Sequence, residues 1–188
     1  MTGDGLGRLR ALLREEGGLM ATLVDHASGS DHAAGPVRDG SLDVAASPAT
    51  LAAAGPRTAG HSDEYELLVE AIYEGYLLHY GSPRIVASPE ADLGLLAGDQ
   101  LYAIGLARLV ALGDTVAVAE LADTITLSAL AHGADEAALA DAVWVAGARA
   151  VGWGSSAAHR RAKDLAFAGA PEAIEAMRTS AARVPPSP

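Results

Sequence analysis

Three glutamates spaced by four residues, Glu66, Glu70 and Glu74, form the row of this chain best suited to bind a cation. On a helix they stack on one face, where a row of carboxylates can hold a metal ion. Like charges at that spacing also repel, and we read the row as a solvated face. A carboxylate-bridged di-iron centre needs Glu-x-x-His on two helices. The residues three before His79, His132 and His159 are Tyr76, Ala129 and Ser156, which excludes it. No Gly-x-Ser-x-Gly elbow supports a Ser-His-Asp hydrolase. His159-Arg160-Arg161-x-Lys163 is a small basic cluster. It reads as solvated, with phosphate contact by Arg160, Arg161 and Lys163 as the alternative. No metal centre and no cofactor is expected.

The 188 residues suffice for one domain and include no cysteine, so disulfides and cysteine metal sites are excluded. Half the residues are apolar but only 4% are aromatic. A core of Ala, Leu and Val favours closely packed helices over sheet. The net charge of -11 sits almost wholly between residues 61 and 152, where fourteen acids face three bases. Such a body repels nucleic acid and anionic lipid. Asp4, Arg8, Arg10 and Arg14 break up the N-terminal apolar residues, so no secretory signal is read there. Charges also interrupt every stretch of 18 residues, which argues against a transmembrane span. We therefore expect a cytoplasmic protein.

The elements follow from start and stop signals. Residues 5–14 make a short amphipathic helix with Leu6, Leu9, Leu12 and Leu13 as one stripe. So short a helix is marginal alone and must dock, either on this protein's own body or on a partner. We expect another chain, because residues 27–60 read as an Ala/Gly/Ser/Pro linker around the docking segment 1–26, with at most a short helix near Ala49–Ala54. The helical domain is expected over residues 61–184, followed by a tail at 185–188. Its helices run from Ser62 to about Tyr80, with Asp63 and Glu66 in a capping box, and from Ser88-Pro89 to Leu112. Others run from Thr115 to about His132, capped by Asp114, and from Asp135 to about Val151. The last two run from Ser155 or Ser156 to about Ala168, and from Pro171 to about Arg183. The fold class is an all-α antiparallel bundle of about six helices. Tyr73, Tyr76 and Tyr80 share a face and are read as a contact patch, since tyrosine is enriched at interfaces.

The helix before Gly113 carries Gly94, Gly98 and Gly105 roughly on one face, where a neighbouring backbone can approach. Asp99 lies in the same apolar run and is read as a buried or half-buried residue that fixes packing through a partner. The stretch Leu93 to Gly133, with Gly98-Asp99 inside its first helix and Gly113-Asp114 between its two helices, resembles the Gly-Asp helix and its successor in trans-prenyl diphosphate synthases. The resemblance covers about forty residues and implies a reduced isoprenoid-synthase-like bundle. The magnesium-binding aspartate-rich motifs of that family are missing. Where the first should lie, the chain reads Glu-Ala-Ile-Tyr-Glu-Gly-Tyr, and only Arg84 stands for the family's arginine pair. Without a metal cluster on the diphosphate leaving group, prenyl transfer has no driving electrostatics.

The pattern is closest in character to the metal-motif-free small subunits of two-component heptaprenyl diphosphate synthases. The expectation is a non-catalytic accessory subunit that binds a protein partner, a larger complex or a second copy of itself. The partner could be a catalytic prenyl synthase or a quinone-linked membrane complex. The rivals are a binding protein for a prenyl chain or other apolar ligand, and a divergent prenyl-transfer enzyme.

Overall fold

The computed structural model describes residues 5–29, 47–86 and 90–182. Among them there are nine helices and no strand. The expected six-helix body is α4 (Ser62–Tyr80), α5 (Ala91–Ala111), α6 (Thr115–Gly133), α7 (Ala137–Trp153), α8 (Ala157–Phe167) and α9 (Ala173–Ala182). Three more helices join it: α1 (Gly5–Glu16), α2 (Gly18–Gly29) and α3 (Pro48–Ala53). The long helices α4 to α7 follow one another and pack α4 on α5 and α6 on α7, while α3 lies across α4 and α7.

The N-terminal stripe does not wait for a second chain. Leu9 and Leu13 are fully buried and Leu12 nearly so, with Leu6 packed beside them. They share a core with Leu67 and Ala71 of α4, Ile85 and Val86 of the following loop, and Ala97 and Leu101 of α5. Met20, Leu23 and Val24 of α2 close the same core. The expectation of a tethered docking segment is therefore corrected: α1 and α2 are part of the domain. Arg8 secures them by a 2.7 Å ion pair to Glu66.

The expected linker is also corrected over residues 47–60; residues 30–46 lie outside the described residues. Ser47 caps α3 by accepting from the Thr50 amide, with Pro48 in its first turn. Ala49 and Ala52 are fully buried. A Cβ on Gly55 would stand 2.1 Å from the Gly152 carbonyl oxygen, and the Arg57 amide donates to that oxygen at 3.0 Å. Small residues permit this contact and also make the segment look like a linker.

Several boundaries move. His61 precedes α4 with no side-chain cap, and Glu66 pairs with Arg8, so the expected capping box is not formed. Glu90 precedes α5, while Ser88 and Pro89 lie outside the described residues. Asp135 does not cap α7; it takes a left-handed φ of 60° in the turn before it. Asp114 caps α6 through the Ala117 amide, and Ser156 caps α8 through the His159 amide, as expected. The tail at 185–188 lies outside the described residues.

Candidate functional site

The glutamate row is interior, which corrects the solvated-face reading. Glu70 is 4% exposed and Glu74 is fully buried. Arg84 closes on both: its guanidinium reaches Glu70 at 2.6 Å and Glu74 at 3.1 Å. One Glu74 oxygen also accepts the backbone amides of Arg84 and Ile85, at 2.6 and 2.8 Å. Ser47 donates to Glu70 at 3.1 Å. The Arg84 guanidinium lies 5.2 Å from the Tyr73 ring centroid. Every one of these carboxylate oxygens already has a donor within the chain. The row is a clamp that ties α1, α3 and the 81–86 loop to α4. Among the described residues, no group of three or more acidic or histidine side chains is placed to hold a metal ion.

A second buried polar cluster joins α6, α8 and α9. His159, 4% exposed, meets Glu120 at 2.6 Å through Nε2 and Ser180 at 3.2 Å through Nδ1. Lys163 donates to Glu120 at 2.9 Å and to Asp123 at 2.7 Å. Burial pushes the Glu120 carboxyl upward, but the His159 and Lys163 contacts outweigh it and hold the carboxyl below its ordinary value. The connectivity is serine–histidine–glutamate, but all three are buried and the Ser180 hydroxyl also donates to the Met177 carbonyl at 2.8 Å. It is a fastening for the C-terminal hairpin. The expected basic cluster is thereby divided: Lys163 is consumed internally, while Arg160 and Arg161 are exposed on α8. Arg160 donates to the Ser155 carbonyl, and Arg161 borders a cleft of about 610 Å³ between α8 and α9 with Glu172 and Glu175.

The tyrosine patch is also mostly internal. Tyr73 and Tyr76 pack on the buried Trp144, at centroid distances of 4.9 and 5.0 Å, and Tyr76 is 6% exposed. Tyr80, 42% exposed, stacks on His132 at 4.4 Å, and the Tyr76 hydroxyl is hydrogen-bonded to His132 Nε2 at 2.9 Å. Burial pushes the Tyr76 phenol up to about 12.

Gly98 and Gly105 act as expected. A Cβ on Gly105 would meet Ile72 at 2.4 Å, and one on Gly98 would meet His79 at 2.6 Å, so α5 lies directly on α4. Gly94 differs: a Cβ there would meet nothing within 4 Å. Asp99 is corrected outright, because its side chain is 69% exposed and its partner is His79, at 3.2 Å. Asp114 does more than cap α6. Tyr65 donates to it at 2.6 Å and Arg57 bridges both its oxygens at 3.1 Å, which locks the α5–α6 corner to the segment after α3.

The outer surface of α5 and α6 carries the feature that sequence reading missed. Not one exposed residue of α6 is charged; the exposed stripe includes Val116, Ala119, Ala122, Thr126 and Leu130. Along α5, the exposed residues from Gln100 to Ala111 are likewise uncharged, and Leu96 precedes them. Leu96 is 61% exposed, Val110 57%, Val116 58% and Leu130 51%. These are large exposed apolar residues on a chain whose net charge is -11, with Asp99, 69% exposed at its side chain, between Leu96 and Gln100, and Asp123, 41% exposed, between Val116 and Leu130. The signal was present as runs of α6 with charges only at Glu120 and Asp123. Its meaning needed the structure, because both of those charges point inward or sideways to α8. Helix α5, with a mean hydropathy of 1.3, is also the one described helix long and apolar enough to cross a bilayer, but it is a packed member of the bundle and no clear transmembrane span results.

The fold and its clusters define an all-α bundle fastened by buried ion pairs. No protein-family model, no curated protein and no solved structure matches this chain.

Proposed function

We propose that this protein is a non-catalytic helical subunit that works by binding protein through the outer face of α5 and α6. The observation that carries the reading is the exposure of the large apolar residues Leu96, Val110, Val116 and Leu130 on two successive helices of an otherwise acidic surface. Exposed tracts of this kind mark interaction sites. The internal use of the Glu70 and Glu74 oxygens supports the non-catalytic half of the proposal, since a magnesium cluster would need such oxygens free. The likeness to isoprenoid synthases remains part of the proposal, resting on the Gly98-Asp99 helix and its successor. So does placement in the cytoplasm, resting on the acidic, charge-interrupted sequence.

The test is affinity purification of the tagged full chain, with Ala122→Arg in parallel. Specific loss of bound protein with the variant is expected. Binding that is unchanged by charges placed on this face would refute the proposal. Diphosphate release from allylic diphosphates with magnesium, by the isolated chain, would refute the non-catalytic reading.

A second reading has one observation of its own. A cleft of about 410 Å³ between α7 and α9 is lined mainly by Ala138, Ala142, Val145, Ala181 and Ala182, with Asp141 and Arg178 beside them. Its volume is in the range of small-molecule sites, and it would suit an apolar ligand. Fluorescent fatty-acid or prenyl-analogue binding that is blocked by Ala142→Trp would support it.

A further inference from the structure

We infer that the cleft between α7 and α9 takes a zwitterion with an apolar body, of the class of an apolar α-amino acid. The inference deepens the apolar-ligand reading of this cleft and rests on it. The cleft exists because short side chains meet there. Helix α7 presents Ala138, Ala142 and Val145, at i, i+4 and i+7 on one face, and α9 presents Ala181 and Ala182. Larger residues would fill the space between the helices, whereas alanine leaves about 410 Å³ open, within the range of small-molecule sites. Ala142 is buried at the floor, while Val145 is 46% exposed and leaves part of an apolar side chain in water. An apolar body lying in the cleft removes that surface from water.

Each helix also brings one charged residue to the cleft, Asp141 from α7 and Arg178 from α9. They are opposite in sign. Yet neither makes a hydrogen bond or ion pair with the other, or with any other group among the described residues. The interior clusters behave differently, for Glu70, Glu74 and Glu120 each hold a cation.

This pair of charges selects the ligand. A carboxylate accepts from the Arg178 guanidinium, and an ammonium donates to the Asp141 carboxylate. A ligand with the carboxylate alone would face Asp141 and the field of a chain whose net charge is -11. A ligand with the ammonium alone would face Arg178. A molecule with both groups beside an apolar body uses both charges and the apolar walls together. Both charged residues are exposed, so water screens each contact and limits it to about fivefold in affinity. Binding in the millimolar range is therefore expected.

The test is amide NMR titration of the isotope-labelled full chain with phenylalanine, hydrocinnamate and phenethylamine. The three share one ring and chain. Hydrocinnamate lacks the ammonium, and phenethylamine lacks the carboxylate. Phenylalanine should shift the amides of residues 138–145 and 178–182 and bind about fivefold more tightly than either analogue. Asp141→Asn should abolish its advantage over hydrocinnamate, and Arg178→Gln its advantage over phenethylamine. Both positions are exposed, so the rest of the amide spectrum should stay unchanged.

Equal affinity for the three compounds, or a preference that either variant leaves in place, overturns the zwitterion inference while the apolar cleft stands. If phenylalanine does not bind but a fluorescent fatty-acid analogue does, and Ala142→Trp blocks it, the inference falls and the cleft holds an amphiphile instead. If none of these compounds shifts those amides, the apolar-ligand reading fails as well.

Discussion

Replacing Arg84 by methionine tests whether the buried glutamates depend on a single cation. Methionine keeps the apolar stem and removes the charge. Glu74, fully buried, would keep the two loop amides on one oxygen and lose its 3.1 Å partner on the other. Glu70, 4% exposed, would keep Ser47 and lose its 2.6 Å partner. Removing one side of a buried ion pair costs about 3–5 kcal/mol, because the remaining charge is left uncompensated. Here two carboxylates share the loss, so the upper end of that range is expected. Against a total of about 5–15 kcal/mol, this is a large fraction of the stability. In a domain of this size it corresponds to a fall in Tm of roughly 10–20 °C.

Urea unfolding followed by circular dichroism at 222 nm measures the loss. The triple variant Glu70→Gln, Glu74→Gln, Arg84→Met removes both signs of charge and should recover at least half of it. A loss below about 1 kcal/mol for Arg84→Met would refute the argument. So would a triple variant no more stable than the single one, since the penalty would then come from packing and not from charge.

Other outcomes follow from the same structure. Leu13→Ala on α1 should lower stability by about 2–5 kcal/mol in a thermal melt, which a segment docked only on a partner would not do. Gly105→Ala should destabilise by about 1–3 kcal/mol, because its Cβ meets Ile72 at 2.4 Å, whereas Gly94→Ala in open space should stabilise by up to about 1 kcal/mol. Glu120 has a carboxyl held below its ordinary value, so its contribution is present above the ordinary carboxylate range and is lost as pH falls through the lowered value. Stability of Glu120→Gln against pH should therefore fall less steeply on the acid side than that of the wild type. Tyr65 and Tyr76, raised to about 12, contribute stability that is present below pH 10 and lost toward pH 12. Tyrosinate absorbance near 295 nm should then appear late and together with unfolding.

The fold class and most of the helices from α4 to α9 are legible in the order of residues alone. Those assignments rest on local chemistry: Asp114 and Ser156 as caps, Gly113 as a stop, and the 3.6-residue apolar period. That order also marked Gly98 and Gly105 as places where a neighbouring helix comes close, and the structure shows that neighbour to be α4. Local signals could not assign residues 47–60. Alanine and glycine there are small for tight packing against Gly152, and the same composition serves a linker.

Which polar residues turn inward depends on partners brought from distant parts of the chain. The Glu66–Glu74 row looked solvated because its counter-charge, Arg84, is brought by a loop, and Arg8 comes from a helix more than fifty residues away. Lys163 looked like part of a basic surface until Glu120, forty-three residues earlier, was placed beside it. The exposure of Leu96, Val110, Val116 and Leu130 on α5 and α6 has the same origin. A helix shows its exposed stripe only when its buried one is known, and for two helices this uniformly apolar the neighbours, not the period, decide which stripe that is.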